Sequence, residues 1–453
     1  MAAPATGNRI TEGVIWKELL RFTAPLLLGN LFQQLYNTVD SVIVGRFIGT
    51  HALAAVGSSF PIINMIIGFF MGAGAGAGVV LAQNYGASDK EETHKTVHTM
   101  FALMTLCGIA VTVLGYVLTP WIIRAISTPK EVEGYSILYL RIIFLGSTFL
   151  VLYNTAGGAL RSVGDSKRPL YYLIVASVLN IILDLLFVVV FHWGIAGAAA
   201  ATVTAIAVSA VLSILAMMRT DDIYRLRLRD LRIHGATLRQ IIRIGLPMGI
   251  QQTIISFSNT IVQRYFNIYG AAAVAGVGAY NKVDGLIIMP VMSLSLAATT
   301  FVGQNIGAKK YHRVRVTARA VYLMSTICSV VLSLVVWAML GPILHVFTDD
   351  TEAIAYGMQY AYWLLPAYVV LGFAQCAGNI IRGSGQSFMP MFISVMNFCV
   401  IRVIWLVVSG TLFPSLDAVC AGYPLTWLTA AIMMAVYYFR GNWLRRFTEE
   451  QNE

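Results

Sequence analysis

Twelve apolar runs, each long enough to cross a bilayer, constrain this chain more than any other feature. A helical crossing needs roughly 20 mostly apolar residues. The runs fall near 18–46, 52–83, 95–119, 131–158, 168–191, 194–218, 240–267, 272–303, 314–341, 352–380, 388–410 and 419–440. Only 11% of the residues are charged, against about 25% in soluble domains. Runs of this length argue helices and not the short alternating strands of a barrel. The fold class expected is therefore an all-α polytopic membrane protein. The first run is too long for a signal peptide and lacks a cleavage site, so no cleavable leader is expected. Cys107, Cys328, Cys376, Cys399 and Cys420 lie in or beside apolar runs, with neither metal spacing nor a disulfide framework.

Charge orients the runs. The chain carries a formal +10, and most of its basic residues fall in alternate loops. These loops hold Lys90 and Lys95; Arg161, Lys167 and Arg168; the arginines from Arg219 to Arg243; Lys309, Lys310, Arg313, Arg315 and Arg319; and Arg382. Arg9, Lys17, Arg21, Arg440, Arg445 and Arg446 flank the two ends. The opposite loops hold Arg46, Arg124 and Lys130. The positive-inside rule then predicts a multi-pass cell-membrane protein with both termini cytoplasmic. This charge serves topology, so a nucleic-acid partner is not expected.

The chain also repeats. Gln83-Asn84-Tyr85-Gly86-Ala87 returns 221 residues later as Gln304-Asn305-Ile306-Gly307-Ala308. At that offset Arg161 meets Arg382, Pro169 meets Pro390, and Tyr135 and Tyr139 meet Tyr356 and Tyr360. One residue out of step, Pro25 meets Pro247 and Asn37-Thr38 meets Asn259-Thr260. Six runs per repeat make the halves parallel, two pseudo-symmetric six-helix lobes whose interface is where transporters bind substrate. The expected division is a first lobe over 1–218, a basic linker over 219–239 and a second lobe with tail over 240–453. In the linker Arg225, Arg227, Arg229 and Arg232 interleave with Leu226, Leu228 and Leu231, a pattern suited to anionic headgroups. Gly72, Gly74, Gly76 and Gly78 read as a helix-packing seam, since no strand precedes them and no P-loop lysine follows.

Run one carries Asp40 near its far end, with Tyr36 one helical turn before it and Asn37 alongside. A carboxylate at membrane depth costs at least about 2.5 kcal/mol and usually serves an ion or substrate path. At ~1.5 Å per residue, Asp40 and Asp184 each lie roughly 10 Å inward of their outer helix ends, and Asn180 roughly 16 Å. Tyr139 and Thr202 come out about 12 Å deep. Two carboxylates, an amide, a hydroxyl and a phenol from four helices thus share one layer. Close carboxylates cannot both stay ionised without a cation. Oxygen ligands without His or Cys suit Na⁺ or H⁺. Asp40, Asn180, Asp184 and Thr202 are therefore the candidate cation and coupling residues. In the second half Asp40 meets Val262 and Asp184 meets Trp405; Lys282, Asp284 and Arg402 appear instead, and Asp284 is expected to pair with Lys282 or Arg402.

These residues resemble the multidrug and toxic compound extrusion family, and its DinF-like branch most. The resemblance covers essentially the whole chain. It rests on the six-plus-six plan, the doubled Gln-Asn-x-Gly-Ala, Arg161…Pro169 with Arg382…Pro390, Pro25 with Asp40, and Asn180 with Asp184. It implies a V-shaped pair of lobes that exports bulky, often cationic, organic compounds in exchange for H⁺ or Na⁺ by alternating access. It also implies a first-lobe cation site at Asp40, Asn180, Asp184 and Thr202, with Tyr36 and Tyr139 nearby. Where other branches carry acids in spans seven and ten, this chain has Gln251, Gln252, Gln375 and Asn379.

Tyr36, Asn37, Tyr139, Lys282, Asp284 and Arg402 are the candidate substrate-cavity residues. The expected partners are small organic substrates and membrane lipids, with no cofactor, no ATP and a monomeric state. A flippase for a lipid-linked precursor is the alternative function, kept open by Arg141, Lys282 and Arg402. An intramembrane aspartyl protease would use Asp40 and Asp184 as a dyad, but Asp184 sits in Leu-Asn-Ile-Ile-Leu-Asp and not in Gly-x-Gly-Asp.

Overall fold

The computed structural model describes residues 7–126, 128–444 and 447. Arg445 and Arg446, part of the expected basic tail, lie outside the described residues, as does the side chain of Arg9. Among the described residues, twelve helical spans follow in order. In the first repeat these are α1 (Ile15–Ile43, continued by a π-turn over Val44–Ile48), α2 (Thr50–Gly86) and α3 (Lys90–Ala125). Next come α4 (Lys130–Leu145 with Ser147–Ser162), α5 (Lys167–Asp184 with a π-turn over Leu185–Val190) and α6 (Gly194–Met218). The second repeat has α7 (Gly235–Asn267), α8 (Gly270–Gly307), α9 (Tyr311–Ala338) and α10 (Thr351–Leu364 with Tyr368–Gly383). It ends with α11 (Phe388–Val395, a π-turn over Met396–Ile401, then Arg402–Leu412) and α12 (Leu416–Arg440). Span α4 bends by 49° at Gly146.

Side-chain caps set several starts. Asp89 accepts the Glu92 amide at 3.0 Å ahead of α3, Asp350 accepts the Glu352 amide at 2.9 Å ahead of α10, and Asp165 accepts the Lys167 amide at 3.0 Å ahead of α5. Each Gln-Asn-x-Gly-Ala motif closes its helix in the same way. The Ala87 amide donates to the Gln83 carbonyl and the Ala308 amide to the Gln304 carbonyl, each at 2.9 Å. Ser88 and Lys309 then take φ of 57° and 58°. The repeat read from the sequence is thus also a repeat of backbone turns.

Two compact units result. Among the described residues, one contains 7–8 and 24–249, the other 9–23 with 250–444 and 447. Compared with the expected division at 218 and 240, the linker and the first turns of α7 join the first unit, and the first turns of α1 join the second. The glycine seam explains the first of these. A Cβ on Gly76 would come within 2.2 Å of the Gly245 Cα, and one on Gly72 within 2.6 Å of the Gly249 amide nitrogen. Backbone meets backbone there, which a side chain would prevent. In the second unit Phe22 of α1 packs edge-on against Phe301 of α8, with ring centres 5.7 Å apart.

The π-turns alter the register between repeats. A π-turn inserts one extra residue into a helix. Buried pairs in α5 and α11 begin 221 apart, at Ala176 and Asn397. Past the π-turn of α11 they are 222 apart, at Asn180 and Arg402 and at Asp184 and Leu406. The π-turn of α5 then restores 221 at Val188 and Ser409. The structural counterpart of Asp184 is therefore Leu406; Trp405 turns aside and donates its ring N–H to the Ala418 carbonyl at 2.7 Å.

Candidate functional site

In the first unit Asp40 sits one turn before the π-turn of α1, and Asp184 immediately before the π-turn of α5. The two π-turns touch, which brings the acids together side chain to side chain. Asp184 is fully buried and Asn180 is 2% exposed, while Asp40 is half-buried. Asn180 Nδ2 donates to Thr202 Oγ1 at 3.5 Å, and that hydroxyl donates to the Ala198 carbonyl at 3.1 Å. Tyr139, 6% exposed, lies within electrostatic reach of both acids, and Tyr36 within reach of Asp40. Asn37 is half-buried one helical position on. Apart from a hydrogen bond that the two carboxyls can share when one is protonated, four buried oxygens have no partner: Asp40 Oδ1, both oxygens of Asp184, and Asn180 Oδ1. Buried acceptors normally find a donor, and two adjoining carboxylates repel unless a positive charge lies between them. The donor set is all hard oxygen, which suits H⁺ or Na⁺.

The second unit is built differently. Asp284 of α8 accepts a hydrogen bond from the Tyr368 hydroxyl of α10, whose oxygen lies 3.2 Å from the Tyr280 hydroxyl. The expected ion pair is not found: among the described residues Asp284 meets neither Lys282 nor Arg402 in a salt bridge. Lys282 lies two positions before Asp284 on the helix and points elsewhere, its Nζ 5.4 Å from the centre of the Phe347 ring. Arg402, 4% exposed, donates to Thr426 Oγ1 at 3.2 Å and to Asn259 Oδ1 at 3.5 Å. Its guanidinium carbon lies 4.7 Å from the Tyr423 ring centre and 5.5 Å from that of Phe398. Arg141 is likewise spent on a ring, 5.0 Å over Tyr116.

A histidine clasp escaped sequence reasoning. His94 and His98 lie one turn apart on α3 and face the linker. His94 Nε2 is 3.3 Å from Asp230 Oδ2, and His98 Nε2 accepts the Arg227 amide at 3.0 Å. These three side chains are close enough to suggest a metal centre. However, His98 Nδ1 is already bound to the His94 carbonyl at 2.7 Å, so both ring nitrogens are committed to backbone. The cluster fastens the linker. Its signal in the sequence was the i, i+4 histidine spacing ahead of a linker rich in charge.

Two repeated six-helix units, each with polar side chains gathered in its interior, define a membrane transporter. The MatE family model matches residues 25–186 and again 247–408, and the chain belongs to that family. Its members are transporters, not enzymes. The probable multidrug resistance protein YoeA of Bacillus subtilis is 31% identical over 443 residues, 96% of each chain. The FAD transporter of Shewanella oneidensis is 24% identical over 436 residues, 94% of each. Among solved structures, an outward-facing multidrug resistance MATE family transporter of the MOP superfamily superposes with a TM-score of 0.89 at 22% identity, over 99% of each chain. A MOP superfamily transporter from Pyrococcus furiosus gives the same score, identity and coverage.

Proposed function

We propose that this protein exports drug-like organic compounds, often cationic, in exchange for H⁺ or Na⁺ that enters between Asp40 and Asp184. The observation that carries the reading is the group of four buried oxygens from Asp40, Asp184 and Asn180 that have no outside donor, with the two carboxyls close enough to share one proton. Asp40 and Asp184 supply charge, the Asn180 carbonyl supplies a neutral ligand, and the Thr202 hydroxyl keeps a lone pair free while donating to Ala198. Tyr36, Asn37 and Tyr139 lie beside the acids; the half-buried Tyr36 and Asn37 offer a ring face and polar tips to an organic substrate, while Tyr139 is buried in this state. The chain acts as a monomer in the cell membrane, with both termini cytoplasmic. A relative named as an FAD transporter shows that substrates differ within the family. The export reading is favoured over a lipid-precursor flippase because Arg141, Lys282 and Arg402 are engaged with ring faces.

The test is efflux from proteoliposomes under separately imposed proton and sodium gradients. Asp40→Asn and Asp184→Asn should insert normally yet lose uphill efflux under the driving gradient. Normal pumping by both variants would end the first-lobe assignment.

A further inference from the structure

The two repeats can be compared residue by residue once the π-turns are counted. In α1 and α7 the buried pairs Leu19 with Ile241, Phe22 with Ile244 and Val44 with Phe266 hold an offset of 222. In α4 and α10, Leu140 with Ala361 and Phe144 with Leu365 hold 221, which sets Tyr139 against Tyr360. In α6 and α12, Ile195 with Leu416, Ala198 with Val419 and Ala199 with Cys420 hold 221, which sets Thr202 against Tyr423. In α5 and α11 the local offset is 222, so Asn180 corresponds to Arg402 and Asp184 to Leu406. Asp40 corresponds to Val262, and Asn37 to Asn259.

The first-lobe site is therefore rewritten in the second lobe with its charge reversed. Both acids become aliphatic, as Val262 and Leu406, each at most 2% exposed. The amide between them becomes a guanidinium. We infer that Arg402 is a tethered cation, held by Asn259, Thr426 and the Tyr423 ring in the place corresponding to the first lobe's ion site. The inference rests on the ion-site reading above. The two changes belong together chemically. Without carboxylates the second site cannot hold a free ion, and a fixed positive charge excludes another cation. The π-face of Tyr423 and two neutral oxygens stabilise the guanidinium without an acid; among the described residues no salt bridge holds it. The second lobe thus stays in a permanently loaded state, and the ion that drives transport visits the first lobe alone.

The experiment uses the full-length protein in detergent. Arg402→Ala should melt below wild type, and low-millimolar guanidinium chloride should restore at least half of the lost melting temperature. Sodium chloride at equal ionic strength should restore none, and wild type should not respond to guanidinium. Arg402→Lys should keep most of the stability, whereas Arg402→Met fills the space without charge and should fall with the alanine variant. A methionine variant as stable as wild type, or no guanidinium effect on a folded alanine variant, overturns the proposal. If the alanine variant does not fold, the lysine and methionine variants decide it by the same melting comparison. A second arm reads the place and not merely the charge. In an Asp40→Asn, Asp184→Asn background, which silences the first lobe, Arg402→Asn with Val262→Asp and Leu406→Asp should create a new rise in melting temperature with Na⁺ or with falling pH. A folded variant without that rise overturns the correspondence. Neither melting readout depends on transport, so failure of the exchange mechanism and failure of this inference remain separable.

Discussion

Asp184→Asn tests the chemistry of the first lobe through stability as well as transport. Asp184 is fully buried, and once both acids are ionised neither its oxygens nor the neighbouring Asp40 Oδ1 has a donor; with one proton between them the two carboxyls can share a hydrogen bond. Two unit charges about 4 Å apart repel by about 4 kcal/mol at an effective dielectric of 20. Wild-type protein should therefore be least stable where both acids are ionised and no cation is present. A carboxamide keeps the shape, removes one charge and offers an N–H to Asp40. Asp184→Asn should then be more stable than wild type in alkaline, sodium-free detergent, by up to about that repulsion. Adding the coupling ion reverses the comparison. A ligand at 100 times its Kd stabilises the folded state by about 2.7 kcal/mol, and only the wild type can gain it fully. The assay is thermal melting against Na⁺ at fixed pH and against pH without Na⁺. A carboxamide variant whose melting temperature climbs with the ion as steeply as wild type would refute the reasoning.

Three further outcomes follow from other parts of the molecule. Tyr368→Phe removes the donor to Asp284 and should cost about 1–3 kcal/mol, the penalty of a buried acceptor left alone, read as a lower melting temperature; Lys282→Met, which touches no acid, should change it little. Gly76→Leu places a side chain where α2 meets the backbone of α7 and should abolish the monodisperse peak in size-exclusion chromatography, whereas Gly74→Ala, with open space around it, should elute as wild type. His98→Phe keeps the ring but loses the bond to the Arg227 amide, so trypsin should cut the linker between Arg225 and Arg232 several-fold faster, and an unchanged rate would mean that the clasp does not hold it.

The spans, the doubled turns and the polar layer of the first lobe were legible because each has a one-dimensional signature. Runs of about 20 apolar residues have one structural outcome in lipid, and a carboxylate within such a run is costly enough to single out Asp40 and Asp184. The π-turns were not legible: Val44–Ile48, Leu185–Val190 and Met396–Ile401 are ordinary apolar sequence. Their positions depend on packing between helices distant in the chain. That is why the sequence offset paired Asp184 with Trp405, one residue away from the buried Leu406. The partner of Asp284 was missed for a related reason. Charge invites pairing with charge, but a tyrosine hydroxyl 84 residues away satisfies the acid. A neutral donor leaves no trace in a census of ionisable residues.

One ion site can drive uphill export without help from the second lobe. A charge that crosses a 100 mV potential releases about 2.3 kcal/mol, and each tenfold concentration ratio takes 1.36 kcal/mol. One ion per cycle could thus hold roughly a fifty-fold gradient of a neutral substrate. That energy does work only if the loaded and empty first lobes favour different conformations, because a ligand shifts an equilibrium only by its differential affinity. On the tethered-cation proposal Arg402 adds nothing to this term over a full cycle, since its charge is present in every state and returns to its starting place. On that proposal its effect is to hold one lobe constant, so that the occupancy of Asp40 and Asp184 would be the variable that distinguishes one state from the next. Two genuine ion sites would require their occupancies to be coordinated, whereas a single site beside a fixed cation needs no such coupling. On that proposal the reversed charge of the second lobe is part of the mechanism, and not a decayed copy of the first.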